Sequence, residues 1–440
     1  MQPSHKMQEA FALRKNKSYT EALLVYEPLW QENPAPFTDW DGWSYAHCLR
    51  QTKQYNKALE VCRMLYKKYP TLEMIASEYA WSIYYTQLAA IKKDTPYPVL
   101  HKATTAILQL STAGGAYSPS IRSVFKLLKH LATAQQIEWK EIGYWLQALP
   151  KDKLTTDTYA IDHPSGKKIE LASDLEEWYS WQSKYLLQTA QWQAAIQCCD
   201  EAAQAIKKWH YSNDIWFKRR KAAALQKLGD KDEAKKMIEE ILLRKKEWFL
   251  WYDLAMLSEA ALDKEKYLIQ AALAYGDAEK KIKVYAELAL FYKENNQPDH
   301  WAHHAVLVYA IRHHQDWPIA KELENELTEA GKLPNKIPAM KELLAPLGTF
   351  WKSKSGGSTP AETNRKKQTG TIEKILPHGG AGFIKPAEGG ASVYFKVPGP
   401  AEDKTWIAGL AVGYELRESF DTKKNKATVM AVKLSAIKKG

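Results

Sequence analysis

TGTIEKILPHGGAGFIKPAEGGASVYFKV, residues Thr369 to Val397, is the stretch from which the fold of the C-terminal region can be deduced. It predicts three short β-strands: the first begins at Ile372, the second covers Gly382–Ile384 and the third covers Val393–Val397. Clusters of Gly and Pro separate the three segments, as is typical of tight turns between strands. A small all-β domain is therefore expected here.

The third strand predicts which side chains face inward. Because side chains alternate between the two faces of a strand, Val393, Phe395 and Val397 share one face, while Tyr394 and Lys396 share the other. An aromatic ring beside a lysine on an open strand face is a common platform for an unpaired base, since the ring stacks and the ammonium neutralises a phosphate. Tyr394 and Lys396 are therefore expected to face solvent.

The segments GGAGFIKP and SVYFKV, followed by Gly413–Phe420 and Ala427–Val432, resemble a cold-shock domain in order, spacing and turn positions. The resemblance covers roughly the last 70 residues and implies a five-stranded barrel of the OB type that binds single-stranded RNA or DNA. The fold class expected for the whole chain is thus multidomain and mainly α, with a small five-stranded β-barrel at its end.

The resemblance also implies where nucleic acid binds. The residues that it places on the binding surface are Lys374, Phe383, Lys385, Tyr394 and Lys396. Three positions depart from the family pattern, because Lys374 stands where Trp is usual and Ala381 and Val397 stand where Phe is usual. Two aromatic side chains remain, so weak binding with little sequence preference is expected.

Charge is unevenly distributed along the 440 residues, whose formal net charge is +11. Residues 365–440 contain 14 Lys and Arg against 7 Asp and Glu, which gives this short region a net charge of +7. A basic small domain is typical of nucleic-acid binding. The alternative interpretation is a soluble surface coated with lysine.

The four cysteines, Cys48, Cys62, Cys198 and Cys199, form no Cys-x-x-Cys pair. This pattern favours a reducing compartment and argues against a zinc finger. The N-terminal segment has no apolar core of signal-peptide length, and no run of 18 apolar residues occurs, so neither secretion nor a membrane span is expected. The expected location is cytoplasmic.

The first 350 residues repeat themselves in a helical pattern. Tyr19-x-x-Ala22 recurs as Tyr55-x-x-Ala58, 36 residues later, and further copies occur in Trp181–Ala202 and Ala222–Ile241. These segments resemble tetratricopeptide repeats, which are helix-turn-helix units of about 34 residues that stack into a solenoid. The small residues at corresponding places are expected where two helices approach closely: Ala22, Ala58, Ala195 and Ala234.

The predicted domain organisation follows from these patterns. Helical repeats are expected over residues 1–150 and 178–350, a β-hairpin insert over 151–177, a flexible Gly- and Ser-rich linker over 351–368, and the barrel over 369–437. The hairpin is predicted around His163–Gly166, and it serves either as a finger that binds a partner or as a pad that covers an irregular joint. Ser173–Glu176 predicts a capping box that restarts the helices.

Two clusters of ring side chains allow more than one interpretation. The tryptophans in the repeats favour core packing over an aromatic-lined groove; they include Trp40, Trp43, Trp81, Trp178, Trp181, Trp216, Trp248 and Trp251. His300, His303 and His304 can share a helix face, which favours a solvated surface over a metal site because no cysteine is nearby.

No nucleotide-binding, zinc-protease or hydrolase motif occurs in the sequence, and no catalytic residue, metal or cofactor is predicted. The leading hypothesis is a non-enzymatic adaptor whose solenoid binds a protein partner and whose barrel binds single-stranded RNA or DNA. The first alternative is a pure protein-interaction scaffold whose barrel no longer binds nucleic acid. The second is that the helical part itself binds RNA, as some helical repeats do.

Overall fold

The structure is a computed structural model that describes residues 3–111, 117–134, 137–162, 166, 168–355, 368–377, 380–397, 406–421 and 426–437. The chain divides into two compact units, Met1–Leu228 and Gly229–Gly440, each of which has its own core.

The first unit consists of helices and one hairpin. Its helices are α1 (Pro3–Lys15), α2 (Tyr19–Glu32), α3 (Asp39–Gln51), α4 (Tyr55–Lys68), α5 (Glu73–Ile83), α6 (Tyr97–Leu110), α7 (Pro119–Leu131), α8 (Trp139–Gln147), α9 (Asp174–Gln188), α10 (Trp192–Ala205) and α11 (Asn213–Leu228). A π-helical turn, Tyr84–Leu88, extends α5.

The helix pairs are of the tetratricopeptide type that the sequence predicts. The turns between α1 and α2, α3 and α4, and α9 and α10 use the same backbone device, a single residue in the left-handed region: Lys17 (φ 65°), Lys53 (φ 63°) and Ala190 (φ 58°). Ala22, Ala58, Ala195 and Ala234 have no exposed surface, as expected of small residues between paired helices. The same type of turn therefore joins the two helices in each of these three repeats.

The first helices of successive pairs form one layer. Helix α3 contacts both α1 and α5, α5 contacts α7, and α9 contacts α11. Helices α1, α3, α5 and α7 are therefore neighbours in the sequence of pairs, and α9 and α11 are neighbours in the same way.

The predicted hairpin is present. Strands β1 (Tyr159–Asp162) and β2 (Lys168–Leu171) pair antiparallel, with Tyr159 opposite Leu171; most of its turn, residues 163–165 and 167, lies outside the described residues. Helix α9 begins at Asp174, directly after Ser173, where the sequence predicts that the helices restart. Ser173 caps α9 by accepting a hydrogen bond from the Glu176 backbone N–H. The Glu176 side chain does not complete the predicted capping box, because it binds the segment before α11 instead.

The helical part of the second unit contains α12 (Lys231–Arg244), α13 (Trp248–Leu257), α14 (Ala261–Leu273), α15 (Ile282–Glu294), α16 (Pro298–His314), α17 (Lys321–Glu329) and α18 (Met340–Lys354). The turn between α15 and α16 repeats the left-handed device at Asn296 (φ 54°). Helix α18 continues to Lys354 and Trp351 is buried in the core, so residues 351–354 of the predicted linker are helical. Residues 356–367 of that linker lie outside the described part of the chain.

A closed five-stranded barrel ends the chain. Its strands are β3 (Gln368–Ile375), β4 (Ala381–Pro386), β5 (Val393–Lys396), β6 (Ala411–Asp421) and β7 (Lys426–Ala436). They follow the order β3-β4-β5-β7-β6 around the barrel, in which β5 and β7 are parallel and β6 pairs with β3 to close it. Five strands closed in this way form a barrel of the OB type.

The barrel core confirms the predicted alternation along β5. Phe395 is fully buried and Val393 is 8% exposed, while Tyr394 is half-buried and Lys396 is exposed. Gly382 faces Phe395, and a Cβ at this position would lie 2.7 Å from the Phe395 ring and 2.5 Å from the carbonyl oxygen of Lys374. Gly382 is therefore needed for the close approach of β3, β4 and the central aromatic ring.

Candidate nucleic-acid interface

Two aromatic side chains meet on the outer face of the barrel. Phe383 on β4 lies directly opposite Tyr394 on β5, and both are half-buried. Their ring centroids are 5.8 Å apart and their planes are inclined at 70°, an edge-to-face contact. The two rings stabilise each other while part of each remains open to a ligand.

Lysines surround this pair of rings. Lys374 on β3 is opposite Phe383, and its Nζ lies 5.3 Å from the centre of the Phe383 ring. Lys396 follows Tyr394 by two positions, Lys385 follows Phe383 by two positions, and both are exposed. Within the described part of the barrel, no carboxylate forms an ion pair with these three lysines. The structure thus brings Lys374, Phe383 and Tyr394 into one cluster, with Lys385 and Lys396 beside it.

The shift in strand register at Glu373 places Lys374 in this cluster. Ile372 pairs with Ile384, but Lys374 pairs with Phe383, so Glu373 is an extra residue in β3. Glu373 accepts a hydrogen bond from the Ser392 hydroxyl at 2.6 Å. A bulge of this kind redirects the side chains that follow it, and here it directs Lys374 toward Phe383.

Ala381 does not contribute to the exposed outer face of the barrel that carries Phe383 and Tyr394. It shares the outward parity of Phe383, yet it is only 2% exposed. Its cross-strand partner is Lys396, a much longer side chain. The comparison with the cold-shock pattern places Ala381 at a position of base stacking, but this small side chain is covered in the structure.

A second surface lies in the first unit, and the sequence did not predict that its residues are connected. Arginines stack between aromatic rings along the first helices of unit one, and we call this the aromatic–arginine row. Its members are Phe11, Arg14, Trp43, Arg50, Trp81, Tyr85, Tyr117, Arg122 and Tyr159. Trp81 and Tyr117 stack with centroids 5.2 Å apart and planes inclined at 25°.

The guanidinium groups in this row are held in fixed positions. The Arg14 guanidinium lies 4.9 Å from the rings of both Phe11 and Trp43. The Arg122 guanidinium lies 4.9 Å from the Tyr117 ring and 4.4 Å from the Tyr159 ring. Stacked guanidinium planes and rings are the groups on which unpaired bases pack. The row therefore gives these first helices a chemistry that suits planar, anionic ligands.

One buried carboxylate anchors the middle of the row. Glu78 accepts hydrogen bonds from Arg50, including one of 3.2 Å from Nη2, and lies 3.2 Å from His47 Nδ1. Burial works to raise the pKa of Glu78, but the hydrogen bonds with His47 and Arg50 outweigh it and hold that pKa below its usual range. Arg50 is therefore fixed by an ion pair as well as by its ring contacts.

Five of the eight tryptophans lie in or pack against a hydrophobic core, as predicted: Trp181 lies in it, and Trp43, Trp178, Trp248 and Trp251 pack against it. Of the eight named from the sequence, Trp181 is buried, whereas Trp40 is 56% exposed and the other six are half-buried. The core-packing interpretation is therefore wrong for Trp40. Trp43 and Trp81 belong to the aromatic–arginine row.

The histidines of α16 differ in their exposure to solvent. His304 is fully buried: its Nδ1 donates to the His300 carbonyl at 2.7 Å, and its Nε2 accepts from the Trp351 indole at 2.9 Å. Burial lowers the pKa of His304 from 6.5 to about 4, so the ring is neutral at pH 7. The predicted solvated face is wrong for His304, while His303 is exposed as expected.

All four cysteines are buried and unpaired. Burial raises the pKa of the Cys48 and Cys198 thiols to about 12 and that of Cys199 to about 11. These thiols are therefore protonated and poor nucleophiles at neutral pH. Within the described ranges, no group of three or more His, Cys, Asp or Glu side chains is placed to hold a metal ion.

The described helices do not include one that combines the length and apolar character needed to cross a membrane.

Comparison with known proteins adds a family match to part of the chain. Residues 215–334 match a family described as a domain of unknown function, DUF7017. A search of the curated proteins found no match.

Several solved structures match parts of this chain at low identity. Human IFIT1, solved as a dimer with PPP-AAAA, is 14% identical, with 79% of this chain and 77% of that chain covered and a TM-score of 0.36. The apo quorum sensor NprR of B. thuringiensis is 14% identical, with 70% and 87% covered and a TM-score of 0.34. A tetratricopeptide protein of Thermus thermophilus is 13% identical, with 58% and 98% covered and a TM-score of 0.21.

Proposed function

We propose that this protein is a non-enzymatic adaptor whose C-terminal barrel binds single-stranded RNA or DNA with little sequence preference, as a cold-shock-like domain does. The observation that supports it best is the cluster of Lys374, Phe383 and Tyr394 on the outer face of the barrel. Two partly open rings offer stacking surfaces to bases, and the lysines beside them neutralise phosphates. The tetratricopeptide-type repeats supply the surface for a protein partner.

The barrel alone binds weakly under this proposal. Only two aromatic side chains occupy the predicted surface, and Ala381 is covered. Much of the attraction is therefore electrostatic and decreases as salt screens it. A protein partner that holds the solenoid near its target raises the effective concentration of the barrel there.

Removing either ring tests the stacking surface directly. Phe383→Ala and Tyr394→Ala are each expected to weaken binding of a mixed-sequence single strand by about 1–3 kcal/mol, the typical contribution of one stacked base. Fluorescence anisotropy at low salt measures the affinity. Tyr275→Ala is the matched control, because Tyr275 is 96% exposed on the helical part of the second unit. Unchanged affinity in both barrel variants would contradict the proposed face.

If the lysines contact phosphates, the affinity for nucleic acid is expected to depend on salt concentration. If about four phosphates are neutralised, the logarithm of the binding constant falls with the logarithm of salt with a slope near −3. Lys374→Gln and Lys396→Gln are each expected to reduce that slope by about 0.7. Titrations at three or more salt concentrations measure it. A slope that neither variant changes means that these lysines do not contact phosphate.

The alternative proposal is a pure protein-interaction scaffold. Binding of single-stranded nucleic acid by the barrel distinguishes the adaptor from this scaffold. If no single strand binds the full chain at low salt, the scaffold is favoured and the barrel face has another use. Copurification from lysate with and without nuclease then identifies whether a bound partner depends on nucleic acid.

A further inference from the structure

The first unit contains a pocket that the proposed function does not use. Its volume is about 360 Å³, and it lies between α7, α9, the end of the hairpin and the segment before α11. The lining side chains that matter here are Arg122, Lys129, Glu177, Lys184, Tyr211 and Asn213. Pockets of roughly 300–1,000 Å³ are the usual size for small-molecule and cofactor groups.

Positive charge exceeds negative charge in this pocket. The lining contains three cations, Arg122, Lys129 and Lys184. Two carboxylates offset part of this charge, since Glu177 pairs with Lys129 at 2.7 Å and Asp174 pairs with Arg122 at 3.3 Å, which leaves an excess of one positive charge. Burial lowers the pKa of Lys184, and the nearby Arg220 lowers it further. A cation kept in such surroundings is stabilised when an anion binds beside it.

Hydrogen-bond donors near the pocket also lack partners. Nε of Arg122 is buried without a hydrogen-bond partner, and so are Nε and Nη2 of Arg220. Buried guanidinium donors are costly to leave unpaired, and phosphate oxygens are the acceptors that match their geometry. Arg122 is held in place by its two ring contacts and by Asp174, which accepts from Nη2 at 3.3 Å.

The rim of the pocket is strained and rigidly held. Tyr211 (φ 54°) and Ser212 (φ 59°) are consecutive non-glycine residues in the left-handed region, and Tyr211 is 60% exposed. Buried Glu176 fixes both flanks of this segment, because it accepts hydrogen bonds from the His210 backbone at 2.9 Å and from Asn213 Nδ2 at 2.8 Å. Strain of this kind persists where the surroundings enforce it, often at binding sites.

From these observations, we propose that this pocket binds one nucleotide unit of a single-stranded nucleic acid, with Arg122, Lys129 and Lys184 on the phosphate and Tyr211 against the base. The exposed Tyr211 ring favours a nucleotide over an acidic peptide as the ligand. An acidic peptide would satisfy the cations but leave this ring uncovered, whereas a nucleotide places a planar base next to its phosphate. The aromatic–arginine row meets the pocket at Arg122 and continues the surface for neighbouring bases.

The site is tested in the full-length chain in which the barrel face is disabled by Phe383→Ala, Tyr394→Ala and Lys396→Gln. This chain is expected to retain measurable binding to a fluorescein-labelled 12-nucleotide single-stranded RNA. Adding Lys184→Gln or Tyr211→Asn is expected to weaken that remaining binding about tenfold. Asparagine is chosen at 211 because it tolerates the left-handed backbone. Lys67→Gln, at an exposed lysine on α4, is the matched control.

The outcomes separate this site from the barrel. Residual binding that Lys184→Gln and Tyr211→Asn reduce, with unchanged melting temperature, supports the pocket. No residual binding in the barrel variant overturns the pocket and leaves the barrel proposal intact. AMP is expected to displace the RNA better than inorganic phosphate, since the base adds a contact with Tyr211. Better displacement by an octaglutamate peptide than by AMP overturns the nucleotide assignment.

Discussion

Phe395→Ala is expected to lower the free energy of unfolding of the barrel by about 3–5 kcal/mol, the usual cost of truncating a buried Phe. Phe395 is fully buried at the centre of a small core that includes Ile372, Ile384 and Tyr414. Gly382 lies against its ring with no side chain of its own, so this neighbour cannot fill the cavity. Thermal and urea unfolding followed by circular dichroism measure the loss.

The neighbouring residue provides the control for this prediction. Tyr394→Ala changes the next position on the same strand, but its side chain faces outward and is only half-buried. We expect this variant to unfold near the wild-type midpoint while it binds nucleic acid more weakly. If Tyr394→Ala unfolds the barrel and Phe395→Ala leaves it stable, the inward and outward faces of β5 are assigned the wrong way round.

Local patterns were sufficient to predict the barrel and the repeats. Alternation along residues 393–396 determines the two faces of β5, because the side-chain period of a strand allows no other arrangement. Ala22 and Ala58 mark the close approach of helices for a similar reason, since the same turn recurs with the same spacing. Features that follow from a regular spacing of residues, such as the alternation along a strand or the recurring turn of a helix pair, can be predicted from the sequence.

Contacts between segments that are far apart in the sequence could not be predicted. Glu176 has the position of a capping residue, yet its carboxylate binds His210 and Asn213, more than 30 residues away. The aromatic–arginine row joins residues from four helices and a hairpin, and no spacing in the sequence connects Arg122 with Tyr159. The domain boundaries and the roles of all five predicted site residues remain predictions, because they depend on behaviour in solution; these residues are Lys374, Phe383, Lys385, Tyr394 and Lys396.

Acid is expected to destabilise the helical part of the second unit through His304. The pKa of this buried ring is about 4 in the folded chain against 6.5 for an exposed histidine, so the unfolded chain binds the proton more tightly. The stabilisation is therefore complete above pH 6.5 and is lost as the pH falls toward 4. The loss amounts to about 3 kcal/mol over that interval, at about 1.4 kcal/mol for each pH unit. Urea unfolding at a series of pH values, monitored by tryptophan fluorescence, measures it.

Burial is the main cause of the low pKa of His304, and its hydrogen bonds show where a second proton would have to enter. Nδ1–H already donates to the His300 carbonyl, so a second proton would have to enter at Nε2, where the Trp351 indole donates. Protonation would break the Trp351 contact and bury a charge among apolar rings. Trp351→Phe removes the donor and frees Nε2, so the variant is expected to show a weaker pH dependence than the parent. His303→Gln, one residue away but exposed, should leave the profile unchanged. A profile that His303→Gln flattens and Trp351→Phe does not would assign the acid sensitivity to the surface of α16 rather than to its buried face.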